Sequence, residues 1–233
     1  MNAMTELLSM SLLPVVLTLL AFRLGQVIQN RFHSPLLNPI LIAVILVVLF
    51  LSLTGMPGGD YQAGMKSLSW LLTPATIALA IPMYEQFQIL RKNLPAILAG
   101  VAAGAVSCML LVAGLGLCFG FDRSLMISLL PKSITTAIGV SLTELVGGIP
   151  SITTAAIIFT GIFANILGST FCRLFRITDP VAQGAAFGTA GHVIGTTRAN
   201  ELSPLTGAVS SLSLVVAGLL TAVVLPILAG LLP

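Results

Sequence analysis

Residues 124–146 read SLMISLLPKSITTAIGVSLTELV. The stretch is apolar enough to sit in a bilayer, yet near its middle it holds a proline, a lysine and a cluster of hydroxyl residues. Pro131 removes a backbone donor and pushes Leu130 away from the helical region. The spacing therefore predicts a helix that ends near Leu129 and a second that begins near Lys132 or Ser133. Irregular backbone at membrane depth is tolerated only where it faces protein or a watery cavity. The start of a half-helix carries unpaired N–H groups and a partial positive charge. Lys132 adds a full charge, and Ser133, Thr135 and Thr136 add hydroxyls, so together they make a receptor for a carboxylate. The competing reading places Lys132 near the surface, where it snorkels to the headgroups.

The rest of the chain supports membrane insertion. Hydrophobic residues make up 57% of the 233 residues and charged residues 7%, against about 25% in a soluble domain. Apolar runs cover Leu7–Phe22, Leu36–Leu53, Leu68–Pro82, Leu94–Phe119, Ile152–Phe171 and Leu205–Leu232, with a weakly apolar, glycine-rich piece at Ala182–Thr197. Helical spans need about 20 such residues, whereas barrel strands alternate apolar and polar residues. The flank of the first run carries Glu6 and no Lys or Arg, so it reads as a retained span rather than a signal peptide. The expected fold is an all-α polytopic membrane protein of about six to eight transmembrane segments, including Pro- and Gly-broken or re-entrant helices, in one membrane domain over residues 1–233.

Lys and Arg accumulate in cytoplasmic loops. With Arg23 and Arg31 inside, Arg91 and Lys92 also fall inside. Arg173 and Arg176 join them only if 124–146 dips into the membrane and returns, so the charges favour re-entry over a full crossing.

Pro74–Ile81 (PATIALAI) resembles Pro131–Ile138 (PKSITTAI), and Pro-interrupted segments in two halves of a chain point to a transporter site. A third irregular stretch, Gly184–Glu201, has its breaks at Gly191 and Gly195 around His192. His192 is either a satisfied structural group or a proton-coupling and solute-binding one, since imidazole titrates near neutral pH. Thr196 is a further solute-binding candidate, and Arg198 either pairs with Glu201 at i,i+3 or faces an anion. Asn38 before Pro39 reads as another helix break and candidate ligand, and Asn165 as a bond across a helix interface. Cys108, Cys118 and Cys172 show no metal or disulfide spacing and read as packing residues. No nucleophile–base constellation, P-loop or dinucleotide fingerprint is present, so no enzyme, cofactor or metal is expected, and the net charge of +3 is no nucleic-acid signal.

LLNPIL (36–41), LLPKSITTAIG (129–139), GGIPSITTAAIIFTGIFANILG (147–168) and FGTAGHVIGTTRANE (187–201) together resemble the LrgB/CidB family of bacterial inner-membrane proteins. The resemblance implies two functions. Family members are described as holin-like or antiholin-like proteins that work with a small LrgA/CidA-type membrane partner to modulate murein hydrolases and autolysis. A plastid relative is a glycolate/glycerate carrier, and bacterial relatives are linked to pyruvate uptake. The broken helices and anion-friendly cluster favour the carrier reading: a secondary transporter, or a subunit of one, for small monocarboxylates, with an LrgA/CidA-type small membrane protein and further copies of itself as expected partners. Cell-wall regulation is the alternative.

Overall fold

The computed structural model describes residues 3–32, 37–71, 74, 77–78 and 80–232, with side chains from residue 12 onward except at residue 67. All described regular structure is helical. Among the described residues four helices are long and apolar enough to cross a bilayer: Leu12–Phe32, Phe87–Cys118, Pro150–Leu174 and Pro204–Leu231. The chain divides into two compact units, residues 1–78 and 79–233.

In the first unit, α1 (Ala3–Phe32) and α2 (Pro39–Thr54) form an antiparallel pair. Ala21, Ala43 and Val47 make its buried seam. Gly25 lets the backbones touch, because a Cβ there would lie 2.7 Å from the Pro39 carbonyl oxygen. Asn38, expected to be a solute ligand and a helix break, caps α2: its Oδ1 accepts from Ile40 N (2.8 Å) and Leu41 N (3.3 Å). The short helices α3 (Gly58–Gly64) and α4 (Lys66–Ser69) follow, and the Tyr61 hydroxyl lies 2.6 Å from Thr18 Oγ1. Pro74 is itself helical and exposed; its neighbours, and so the break and the internal echo expected there, lie outside the described residues.

The second unit starts with α5 (Ala80–Glu85) and α6 (Phe87–Cys118). Residues 124–146 follow, held in α7 (Arg123–Leu129) and α8 (Thr136–Leu145). Its two ends lie side by side. Ser124 Oγ donates to the Gly147 carbonyl (3.3 Å), and Ser128 Oγ accepts from Ile149 N (2.7 Å). The segment enters and returns on the same face, as the charge pattern predicted; we call it hairpin I. Its longer arm of ten residues reaches about 15 Å, half of a hydrocarbon core of about 30 Å. Helix α9 (Pro150–Leu174) then crosses to the opposite face.

There the fold repeats itself upside down. α10 (Pro180–Leu202) is broken at His192, whose backbone angles (φ 42°, ψ −137°) are not helical. Phe187 and Ala199 would stand about 18 Å apart along a straight helix, yet they pack in one cluster with Cys172. The two arms, 180–191 and 193–202, therefore double back as hairpin II. The glycine-rich piece expected at 182–197 is thus a second re-entrant element, five residues longer at its C-terminal end. α11 (Pro204–Leu231) returns to the face of hairpin I, where Arg123 donates to the carbonyls of Leu232 (2.6 Å) and Ala229 (2.8 Å) and caps its end. A helix followed by a hairpin (α6 with hairpin I) recurs in inverted orientation (α9 with hairpin II), which is the inverted-repeat arrangement of many transporters.

Packing is that of a protein dissolved in lipid. On α11, Val215, Leu219, Val223, Ile227 and Leu231 form an exposed apolar stripe, whereas Thr206, Ser210, Ser211 and Ser213 are buried. Small and hydroxyl residues inside, with aliphatic ones outside, are what helix packing in a bilayer selects. Single cysteines at Phe121 and Glu144 are expected to react with an impermeant maleimide from one side of the membrane, and cysteines at Thr178 and Leu202 from the other. A full crossing of 124–146 would separate the first pair, and labelling of intact and inverted vesicles decides it.

Candidate functional site

The tips of the two hairpins meet against the middle of α6. Ser133 Oγ lies 3.6 Å from Cys108 Sγ, and one turn earlier a Cβ on Gly104 would sit 3.2 Å from Thr189 Cγ2. From these tips a cavity of about 830 Å³ runs along α6, α9 and the first arm of hairpin II to Asn93 and Asp179. Its wall is mostly apolar, and its deep end carries Lys132, Ser133, Thr160 and Thr189. The opposite face of the unit is closed by Met109, Ala113, Met126, Ile127, Leu130 and Leu225.

The expected site residues divide into those on this wall and those behind it. Lys132 and Ser133 are on it, half-buried, with Lys132 Nζ 3.4 Å from Ser133 Oγ. Lys132 therefore sits at a hairpin tip rather than at the surface. Its neighbour Pro131 is buried at the break, as read from the sequence. The second half-helix begins three residues later than expected from Ser133. Turn bonds from Lys132 N to Leu129 O and from Ile134 N to Pro131 O (both 3.3 Å) take up 130–134, so Thr135 is the N-cap and Thr136 the first helical residue. Neither of these threonines is on the wall.

His192 and Thr196 are also behind the wall, at the turn of hairpin II. The His192 ring donates through Nε2 to the Ile157 carbonyl (3.0 Å). The ring fits because position 161 is glycine: a Cβ there would lie 2.6 Å from Nε2. Thr196 Oγ1 bonds the His192 carbonyl and Ser210 Oγ, each at 2.8 Å. Asn165 spans the helix interface as expected, donating to Ile194 O (2.8 Å) and Thr197 Oγ1 (2.9 Å), which satisfies polar groups near the break. The glycines explain themselves by approach. A Cβ on Gly191 would meet Ala164 Cβ at 2.7 Å, and one on Gly195 the Phe187 carbonyl oxygen at 2.5 Å. Arg198 pairs with Glu201 (2.6 Å) and donates to Ser169 Oγ (3.0 Å), so the i,i+3 reading holds. Two cysteines read as packing residues, Cys108 and Cys172, border the cavity.

Among the described residues no cluster of His, Cys, Asp or Glu is arranged to hold a metal ion. The arrangement offers a half-buried ammonium and three hydroxyls, those of Ser133, Thr160 and Thr189, at the deep end of an apolar cavity, with the N-terminus of α8 behind that wall. Such a combination suits an anion with a small polar head.

Comparison with known proteins agrees with the motif resemblance. The model of the LrgB-like family matches residues 18–231. Proteins called "Antiholin-like protein LrgB" in Bacillus cereus (strain B4264) and Bacillus anthracis (strain A0248) are each 36% identical over 215 residues, covering 91% of this chain and 93% of theirs. No solved structure matches it. The name of these relatives favours the antiholin-like alternative over transport. With its apolar helices and a match that covers nearly its whole length, the chain is a membrane protein that belongs to the LrgB family.

Proposed function

We propose that the protein is a secondary carrier, or the solute-binding subunit of one, for small monocarboxylates such as pyruvate, glycolate and lactate. The single observation that carries this reading is the cavity that ends at Lys132 and Ser133 where two oppositely inserted hairpins meet. Lys132 and Ser133 hold the carboxylate, and the start of α8 at Thr135 and Thr136 adds its dipole. His192 and Thr196 serve the site by fixing the tip of hairpin II. Arg91, Lys92, Arg173 and Arg176 lie at the end where the cavity opens, so that end faces the cytoplasm of a bacterial inner membrane. The inverted repeat supplies the second, outward state by exchange of roles between its halves.

A second reading has its own support in the name of the relatives. In it, the protein is an antiholin-like regulator that controls murein hydrolases together with an LrgA/CidA-type partner and has no solute path. The names of relatives support this reading more than they support transport, while the carrier reading rests on geometry. Proteoliposomes separate the two. Saturable uptake of labelled pyruvate, glycolate or lactate, measured with and without a pH gradient and with and without the partner, is the expected result. No uptake of any of the three acids with the partner present would overturn the carrier reading and leave the regulatory one. A response of uptake to the pH gradient would add proton coupling, for which His192 is the first residue to replace.

A further inference from the structure

Thr189 is a polar group on the cavity wall that the solute site described above does not use. It lies on the first arm of hairpin II and is 9% exposed, and its Oγ1 has no hydrogen-bond partner among the described residues. A helical threonine ordinarily returns its hydroxyl to the carbonyl four residues back, as Thr143 and Thr154 do here. A buried hydroxyl left unpaired costs free energy; Thr189 lines the cavity, so a solute oxygen that reaches its shielded hydroxyl would supply the missing partner. Ser213 is likewise buried and unpaired, but it does not border the cavity, so it lacks the second condition.

The position of Thr189 says which part of a ligand it meets. Thr189 packs at Gly104 and Ser133 at Cys108, one turn apart on α6, which is about 6 Å. Two neighbouring oxygens of one small molecule, each at a hydrogen-bond length of about 2.8 Å, bridge such a gap. Resting on the carrier reading, we propose that Thr189 is a specificity-determining residue. Its hydroxyl bonds an oxygen on the carbon next to the carboxylate, so the site selects acids that carry that oxygen over acids that lack it.

The test uses the full chain in proteoliposomes, with pyruvate and propionate as the probes. Wild type is expected to favour pyruvate at least about tenfold in kcat/KM, within what one hydrogen bond to a buried group supplies. Thr189→Val is expected to bring the ratio within about threefold of unity, and Thr189→Ser to keep the preference. A preference that survives Thr189→Val overturns the proposal while leaving the carrier reading intact. Absence of uptake of either acid by wild type, with the LrgA/CidA-type partner present, overturns both. A second readout needs no transport: in a Cys118→Ser/Cys172→Ser background, pyruvate is expected to slow maleimide labelling of Cys108, and Thr189→Val to abolish that protection. A purely structural hydroxyl gives the opposite pattern, with a lower melting temperature for Thr189→Val and no change in the pyruvate-to-propionate ratio.

Discussion

The Lys132→Gln protein is expected to transport pyruvate with kcat/KM lowered about 10- to 150-fold, mostly through KM. Hydrogen bonds to charged groups contribute about 1.5–3 kcal/mol, and each 1.4 kcal/mol is about a factor of ten. Lys132 brings the positive charge to a mostly apolar cavity wall on which the other charged residue, Asp179, is negative, so the upper half of that range is expected. Stability is expected to change little. The side chain is half-buried, and its hydrogen bond to Ser133 is long, at 3.4 Å. Glutamine is one atom shorter, keeps a donor and removes the charge. Uptake kinetics beside a melting curve give the decision: uptake unchanged by Lys132→Gln moves the anion site away from hairpin I, and a large fall in melting temperature makes Lys132 a structural residue.

Hairpin I was readable because its cause is local. A proline in an apolar run fixes a break within a residue or two, and the charges of Arg173 and Arg176 then decide between crossing and re-entry. The start of α8 was misplaced because turn bonds over 130–134 follow from how the returning arm packs on α9, through Thr143 and Thr153 (2.8 Å apart), and not from propensity. Hairpin II was visible only as a glycine-rich stretch. Glycines permit many backbone paths, and what selects a sharp reversal at His192 is a set of distant partners: Gly161, Asn165 and Ser210. His192 and Thr196 looked like ligands for the same reason, because a polar residue that holds a tip and one that binds a solute have the same local signature. In the sequence Thr189 reads only as a hydroxyl near His192, not as a ligand in its own right. Its significance lies in α6, some eighty residues earlier, where Gly104 lets it approach. Asn38 shows the reverse case, a conspicuous Asn-Pro pair that forms a helix cap.

Gly195→Ala is expected to destabilise the protein by about 2–5 kcal/mol, combining overpacking of about 1–3 kcal/mol with one or two hydrogen bonds at about 1 kcal/mol each. The added Cβ would lie 2.5 Å from the Phe187 carbonyl oxygen. Both sides of that clash are backbone, so no side chain can swing away and the two arms of hairpin II must separate. Separation stretches the bonds that knit the second arm to its neighbours: Asn165 to Ile194 and Thr196 to Ser210, both at 2.8 Å. Thr189, on the first arm, moves relative to Lys132, so transport falls even in the fraction that stays folded. The control is Gly114→Ala on α6, where nothing lies within 4 Å of the new Cβ. There the gain in helix propensity of about 1 kcal/mol makes the change neutral or mildly stabilising. Melting of the two variants in one detergent compares them directly. A Gly195→Ala protein as stable as Gly114→Ala would mean that the arms of hairpin II do not touch. The meeting of two hairpin tips on which the site depends would then be wrong at its second half, while the break at Pro131 would stand.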